Sequence, residues 1–440
     1  MKNNIDELVY KAVFGSDQEK QAARFEIWQE GTKVGIIPSS INDLYMARGS
    51  KELPNDFTVP AMNLRGMTYD TARATFAAAL RNNVRAMIFE IARSEMAYTS
   101  QTPQEYVTVI TAAALKEGWS GPLFVQGDHF QAKAAGPGNP KDGEIETIKN
   151  LIKEAVAAGF YNIDIDMSTL VDLDKPTEKE EQIPNYKYSL ELTEHVRSLE
   201  PEGITVSLGG EIGHIGGKNS TVADFKAYMD GFNKGLEKEM VGMSKISVQT
   251  GTSHGGVVLA DGSLADIDVD FSILKNITEA GQGEYSLGGS VQHGASTLPD
   301  EYFNQFTQNK ALEVHLATGF QNIIMDHPSF PKELLSEMYD HIDKNNLDEK
   351  SDKQTDEQFH YKLRKKAWGP LKKQAWDMPE ENRLEIRATL EKRFEFFFKE
   401  LNVVNSKETV EKYVKPIVVD KTMEDFAVGE KHKDVKGLSD

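Results

Sequence analysis

The chain has 440 residues, 39% of them hydrophobic, and no cysteine. It can bury a large core, but it excludes a disulfide framework and any thiolate metal site, so a bound metal must rely on His, Asp and Glu. Lys and Arg number 50 against 69 Asp and Glu, a net charge of -19, which argues against non-specific binding to nucleic acid or an anionic membrane and leaves room for a local pocket for a phosphorylated small molecule.

The first seven residues carry no apolar signal core, and no run approaches the ~18 apolar residues of a membrane helix. A cytoplasmic protein is expected. Residues 1–50 mix helical patches with the turn signal Pro38-Ser39-Ser40 and read as an N-terminal extension without chemistry. A rhythm of apolar run, loop and helix-period segment then begins. The first run is 57–63, followed by a helix over 69–80; the second is 86–91; the third, from Pro122, leads into Gly127-Asp128-His129. A long helix follows with Ile145, Ile148, Leu151, Ile152, Ala155 and Val156 on one face and Gly159 as its stop. Further runs lie at 161–166, 204–208, 245–249, 286–291 and 320–325.

Eight strands alternating with helices predict an α/β fold, a (β/α)8 TIM barrel over 51–345, with C-terminal helices over 346–402 and a charged surface arm over 403–440. Chemistry in such a barrel sits at the C-terminal strand ends, and the polar residues expected there are Asn63, Asp128, His129, Asp166, Glu211, His254, His293 and Asp326. A doubly wound open sheet would concentrate them at one switch point instead.

A lone histidine at a strand end is more often structural than a ligand. Three in equivalent places, His129, His254 and His293, shift the balance to a metal site. Three imidazoles with an open fourth position make a catalytic zinc site, able to polarise a carbonyl and stabilise an enediolate. Asp128 fits proton transfer, with orientation of an imidazole as the alternative. Gly255, Gly256 and Gly294 with Ser296 form either a phosphate nest or merely tight turns. Gly281-Gln282-Gly283-Glu284 precedes a strand rather than opening a helix and is not a nucleotide loop.

Gly127-Asp128-His129, Ile165-Asp166-Met167-Ser168, Gly210-Glu211-Ile212-Gly213 with Gly216-Gly217, Gly251-Thr252-Ser253-His254-Gly255 and Val291-Gln292-His293-Gly294-Ala295-Ser296 follow one another in an order that resembles the class II, metal-dependent fructose-bisphosphate aldolases. The resemblance covers residues 57–326, with a weaker echo in a late helix carrying Leu384, Leu390, Phe394, Phe397 and Leu401. It implies that His129, His254 and His293 hold zinc and that Asp128 is the acid/base of C–C cleavage. Asp166 and Glu211 would bind a second divalent or monovalent cation or steady the first. Gly255, Gly294 and Ser296 would cradle a ketose phosphate, and Asn63 and Asp326 would contact substrate. It also implies a homodimer or higher homo-oligomer paired through late helices; Trp368, Trp376 and the 394–398 segment either make that contact or cap the barrel.

Several positions depart from the family pattern. Lys218-Asn219-Ser220 follows Gly216-Gly217 where acidic residues are usual, so the base that deprotonates the ketone donor has no assigned residue. Ile324 stands where an asparagine precedes the aspartate, the basic residue expected after the second metal histidine is missing from 257–261, and the late-helix arginine is displaced to Arg387 or Arg393 around Thr389. Arg65 and Arg93 are substitutes for the lost charge or members of surface ion pairs. His214 and His327 are surrogate bases or structural residues. The expected activity is zinc-dependent retro-aldol cleavage of a ketose phosphate, foremost fructose 1,6-bisphosphate. A non-catalytic sugar-phosphate-binding or partner subunit and a metal-dependent sugar-phosphate epimerase are the alternatives.

Overall fold

The computed structural model describes residues 4–213, 218–251, 259, 269–428 and 438. Eight parallel strands close into a barrel in chain order: β1 (Val59–Asn63), β2 (Ile88–Ala92), β3 (Val125–Gln131), β4 (Asn162–Asp166), β5 (Ser207–Glu211), β6 (Lys245–Val248), β7 (Ser290–Gln292) and β8 (Glu313–Leu316), with β8 pairing back onto β1. The expected (β/α)8 barrel is therefore present. Helices separate the strands, each driven by one apolar face. In Glu144–Ala158 that face is Ile148, Leu151, Ile152, Ala155 and Val156, and Gly159 at φ 109 ends the helix by returning its N–H to the Ala155 carbonyl.

The eighth strand is corrected. Residues 320–325 lie in the helix Thr318–Met325, which buries Phe320, Gln321, Ile324 and Met325, and the strand is the less apolar Glu313–Leu316 before it. The physical reason is the filling of the barrel. Inward positions alternate along each strand, and here they are polar: Gln126 and Asp128 on β3, Asp164 and Asp166 on β4, Lys245 and Ser247 on β6, Glu313 and His315 on β8, all buried. The fifth strand also begins later than the expected 204–208 and reaches Glu211, because the Val206 N–H and carbonyl are taken by the side chains of Glu200 and Arg197.

An ionic layer closes the interior beneath the mouth. Lys245 Nζ lies 2.9 Å from Asp164 Oδ1 and 2.5 Å from Glu313 Oε1, and donates to Gln126 Oε1 at 2.8 Å. Burial disfavours the ammonium, but the two carboxylates outweigh it and raise the Lys245 pKa. Gly209 on β5 makes the room: a Cβ there would stand 2.2 Å from Asp164 Oδ1 and 2.9 Å from Lys245 Cε.

The flanking segments are packed, not appended. Helices Ile5–Phe14 and Asp17–Lys33 lie on helix Pro103–Glu117, and Ile36–Pro38 pairs with Gly121–Leu123. The late helix Glu380–Glu400 covers Thr68–Arg81 and buries Leu390, Phe394, Phe397 and Phe398, so these aromatics pack on the outer helices of the barrel. The reading of 403–440 as a surface arm is corrected for its first part: Val403, Val410, Val414 and Phe426 are buried, the last against the rings of Phe25 and Trp28. Apolar anchors spaced among charges are enough to dock a polar segment. Among the described residues no helix is long and apolar enough to cross a membrane.

Candidate active site at the mouth of the barrel

Asp128 and His129 are consecutive, so in a regular strand they would face opposite sides of the sheet. The register of β3 against β4 shifts between Gly127 and Phe130, and His129 takes φ 40. This bulge turns both side chains into the mouth, a common use of bulges beside active sites. His129 Nδ1 donates to Asp166 Oδ2 at 2.9 Å and lies 3.2 Å from Glu211 Oε2. Asp128 Oδ1 lies 3.8 Å from His129 Nε2, 3.9 Å from His293 Nδ1 and 3.3 Å from His315 Nδ1.

Donor atoms of His129, Glu211 and His293 fall within 4.8 Å of one another, and those of Asp128, His293 and His315 form a second such group. All are buried. The electrostatics carry the mark of crowded carboxylates. Burial and the charge of Asp166 push Glu211 up to about 8. Burial would also raise Asp166, but hydrogen bonds from His129, Ser168 and Gln131 hold it down to about 2. Burial works against the His129 cation, yet Asp128, Glu211 and Asp166 lift its pKa well above the ordinary value. Burial and Asp128 raise Glu90. Buried carboxylates gathered around imidazoles need positive charge, and a nitrogen and oxygen donor set without sulfur suits a divalent cation such as zinc. The residues present fit such a metal.

Of the other expected site residues, Asn63, Gly294 and Ser296 line one cavity with Asp128, His293 and His315. Asn63 donates to Glu95 Oε2 at 2.5 Å, and Glu95 Oε1 pairs with Arg65 at 3.0 Å, so Arg65 reaches the mouth already partnered. His254, Gly255 and His214 lie outside the described residues. Asp326 is not at the site. It follows the helix Thr318–Met325, its side chain is 56% exposed, and Arg364 grips it at 2.5 and 2.9 Å. The cause is the misplaced eighth strand. Arg93 braces Glu144 and the Gln131 carbonyl, Arg387 pairs with Asp70, Arg393 pairs with Asp300, and His327 bonds Thr389. None of these four reaches the cavity.

Sequence reasoning missed three titratable residues of this cavity, Glu90, Glu95 and His315, of which His315 is the imidazole. Its Nδ1 lies between Glu90 Oε2, at 3.0 Å, and Asp128 Oδ1, and its Nε2 lies 2.6 Å from Glu313 Oε1. The signal was the alternation Glu313-Val314-His315-Leu316, too short to stand out beside the more apolar 320–325. Lys245, although inside the barrel, is held as an ammonium by Asp164 and Glu313 and does not offer a nucleophilic amine.

Comparison with solved structures gives the same architecture at low identity. A fructose-bisphosphate aldolase from Campylobacter jejuni is 17% identical, with 84% of this chain and 97% of that chain covered and a TM-score of 0.51. A probable tagatose 6 phosphate kinase from Sinorhizobium meliloti 1021 is 12% identical over 81% of this chain and 99% of its own, with a TM-score of 0.54. A fructuronate-tagaturonate epimerase from Cohnella laeviribosi is 13% identical over 86% and 83%, with a TM-score of 0.50. At these identities the likeness concerns the fold. A search of curated protein sequences found no match. The family model for class-II fructose-bisphosphate aldolase, however, matches residues 51–374, most of the chain and all eight strands, and the chain belongs to that family.

Proposed function

We propose that the protein is a metal-dependent aldolase that cleaves a ketose phosphate, or runs the reverse condensation, with fructose 1,6-bisphosphate as the leading substrate. One observation carries this reading: the bulge in β3 sets Asp128 beside a buried group of metal donors, His129, Glu211 and His293, at the end of the barrel where this fold does its chemistry. A divalent cation held there, with His254 as a further ligand, would polarise the substrate carbonyl and lower the cost of carbanion charge next to it.

The chain's own groups supply the rest. Asp128 accepts the proton from the hydroxyl whose carbon leaves as the aldehyde and returns it in condensation; it is buried, and Oδ1 faces the imidazoles. Gly294 and Ser296 line the same cavity. Ser296 Oγ accepts from the Gly319 N–H at 3.1 Å, which leaves its own O–H to donate to a phosphate oxygen near the start of the helix Thr318–Met325.

The test pairs elemental analysis with a coupled assay for triose phosphate release, before and after chelation. Stoichiometric metal with chelator-sensitive cleavage is expected. Bound metal without cleavage of any ketose phosphate redirects the reading to epimerase assays, and a protein that takes up no metal overturns the mechanism in favour of a silent sugar-phosphate-binding barrel.

A further inference from the structure

His315 touches the site without belonging to the expected ligand set, and its surroundings fix its ring from both ends. Nε2 meets Glu313 Oε1 at 2.6 Å, and Glu313 is itself held by Lys245, Gln126 and Tyr45. The ring is 4% exposed and packs on His293 with centroids 4.0 Å apart. This leaves Nδ1 aimed between Glu90 and Asp128, 3.3 Å from Asp128 Oδ1. A reacting carboxylate at a strand end needs such a brace, because a rotation of its χ angles moves the oxygen out of range of the proton it transfers.

We infer that His315 is a positioning residue for Asp128: clamped below by the Glu313–Lys245 layer, it fixes the carboxylate through Nδ1 and so ties the ionic floor of the barrel to the chemistry at its mouth. The inference rests on the reading of Asp128 as the proton carrier. It makes a geometric demand that separates it from proton transfer by His315 itself. The amide nitrogen of an asparagine can take the place of Nδ1, and that of a glutamine the place of Nε2. Only the first can hold Asp128.

The experiment compares His315→Asn, His315→Gln and His315→Ala, each with metal content and thermal unfolding measured as controls on loading and folding. His315→Asn, which keeps the Nδ1 contact but gives up the Glu313 clamp, is expected to lose clearly less than the other two, whereas Gln and Ala lose about 10- to 100-fold in kcat with little change in KM, the usual cost of losing an orienting partner. In an Asp128→Asn background none of the three should lower the residual rate further, since His315 acts through Asp128. Equal losses for Asn and Gln, or losses that multiply with Asp128→Asn, overturn the inference. Retention of full activity by Asp128→Asn alone overturns instead the reading on which it rests. Crystal structures of the Asn and Gln variants give a readout independent of turnover: the Asp128 carboxylate should stay in place in the first and rotate in the second, and an unmoved carboxylate in both refutes the brace.

Discussion

Lys245→Met removes the ammonium from the barrel floor while keeping most of the stem. Lys245 and Glu313 are fully buried and Asp164 is 7% exposed, so the variant leaves two buried carboxylates without their ammonium, with the His315 ring, 2.6 Å from Glu313 and 3.6 Å from Asp164, as their remaining charged partner. Breaking a buried pair by removing one partner costs about 3–5 kcal/mol, and with two carboxylates sharing one ammonium the loss belongs at the top of that range. The carboxylates can escape by taking up protons, which gives the effect a pH sign. In the wild type, Glu313 is held below its ordinary value despite burial, chiefly by Lys245. Its contribution is therefore present above the unfolded value near 4.5 and is lost as pH falls through the folded pKa. Without Lys245, burial is opposed chiefly by His315, and both carboxyls rise relative to the wild type, so the variant's loss grows as pH climbs above the unfolded value. Urea unfolding followed by tryptophan fluorescence should show a loss near 5 kcal/mol at about pH 8 that shrinks at about pH 5. A loss below about 1 kcal/mol, or one that does not change with pH, would refute the argument. Adding Asp164→Asn and Glu313→Gln should recover most of the stability, because neutral partners need no ammonium.

Gly209→Ala places a Cβ against the Asp164–Lys245 pair and should cost about 1–3 kcal/mol by overpacking; unchanged urea stability would show that the floor can shift. Asp128→Asn should lower turnover about 10²- to 10⁴-fold at unchanged metal stoichiometry, and a parallel loss of metal would mark it as a ligand instead. Metal affinity should rise from about pH 6 to about pH 8, because Glu211 and His129, both raised in the metal-free protein, must release protons to bind. Competition with a chelating dye at the two pH values checks this, and a flat profile contradicts it.

The barrel was legible because seven of the eight strand runs are apolar enough on their outward side to stand out, and helices such as Glu144–Ala158 carry a full face and a glycine stop. The site motifs on β3, β4, β5 and β7 were legible for a related reason, since each ends a recognisable run. What failed was β8. Four residues, two of them inward and charged or titratable, leave only Val314 and Leu316 to signal a strand, and a following helix with Ile323, Ile324 and Met325 outshines them. That single misplacement put Asp326 at the site and left His315 unnoticed. The bulge that aims His129 was also invisible, because no local residue type announces a non-glycine φ of 40.

The bulge in turn bears on Asp166, which the family resemblance offers as a ligand for a second cation or as a support for the first. A residue such as His129, held at positive φ, costs about 1–3 kcal/mol and persists where its surroundings over-determine it. Asp166 supplies that determination. One oxygen accepts from His129 Nδ1 and from Gln131 Nε2 at 2.6 Å; the other accepts from the N–H and hydroxyl of Ser168 at 2.9 and 2.6 Å. Four donors use the acceptor capacity of a carboxylate, so a cation at Asp166 would have to displace one of them, whereas orienting the His129 ring needs nothing to move. Asp166→Asn should then weaken metal binding about 10- to 100-fold while leaving the stoichiometry of the loaded protein unchanged. A stoichiometry lower by one ion would refute the orienting role and return Asp166 to the ligands. The Asn side chain retains one acceptor, and the better-supported Ser168 contacts should claim it, so the expected structural change falls on the His129 ring and the Gln131 amide, the two donors that lose their acceptor.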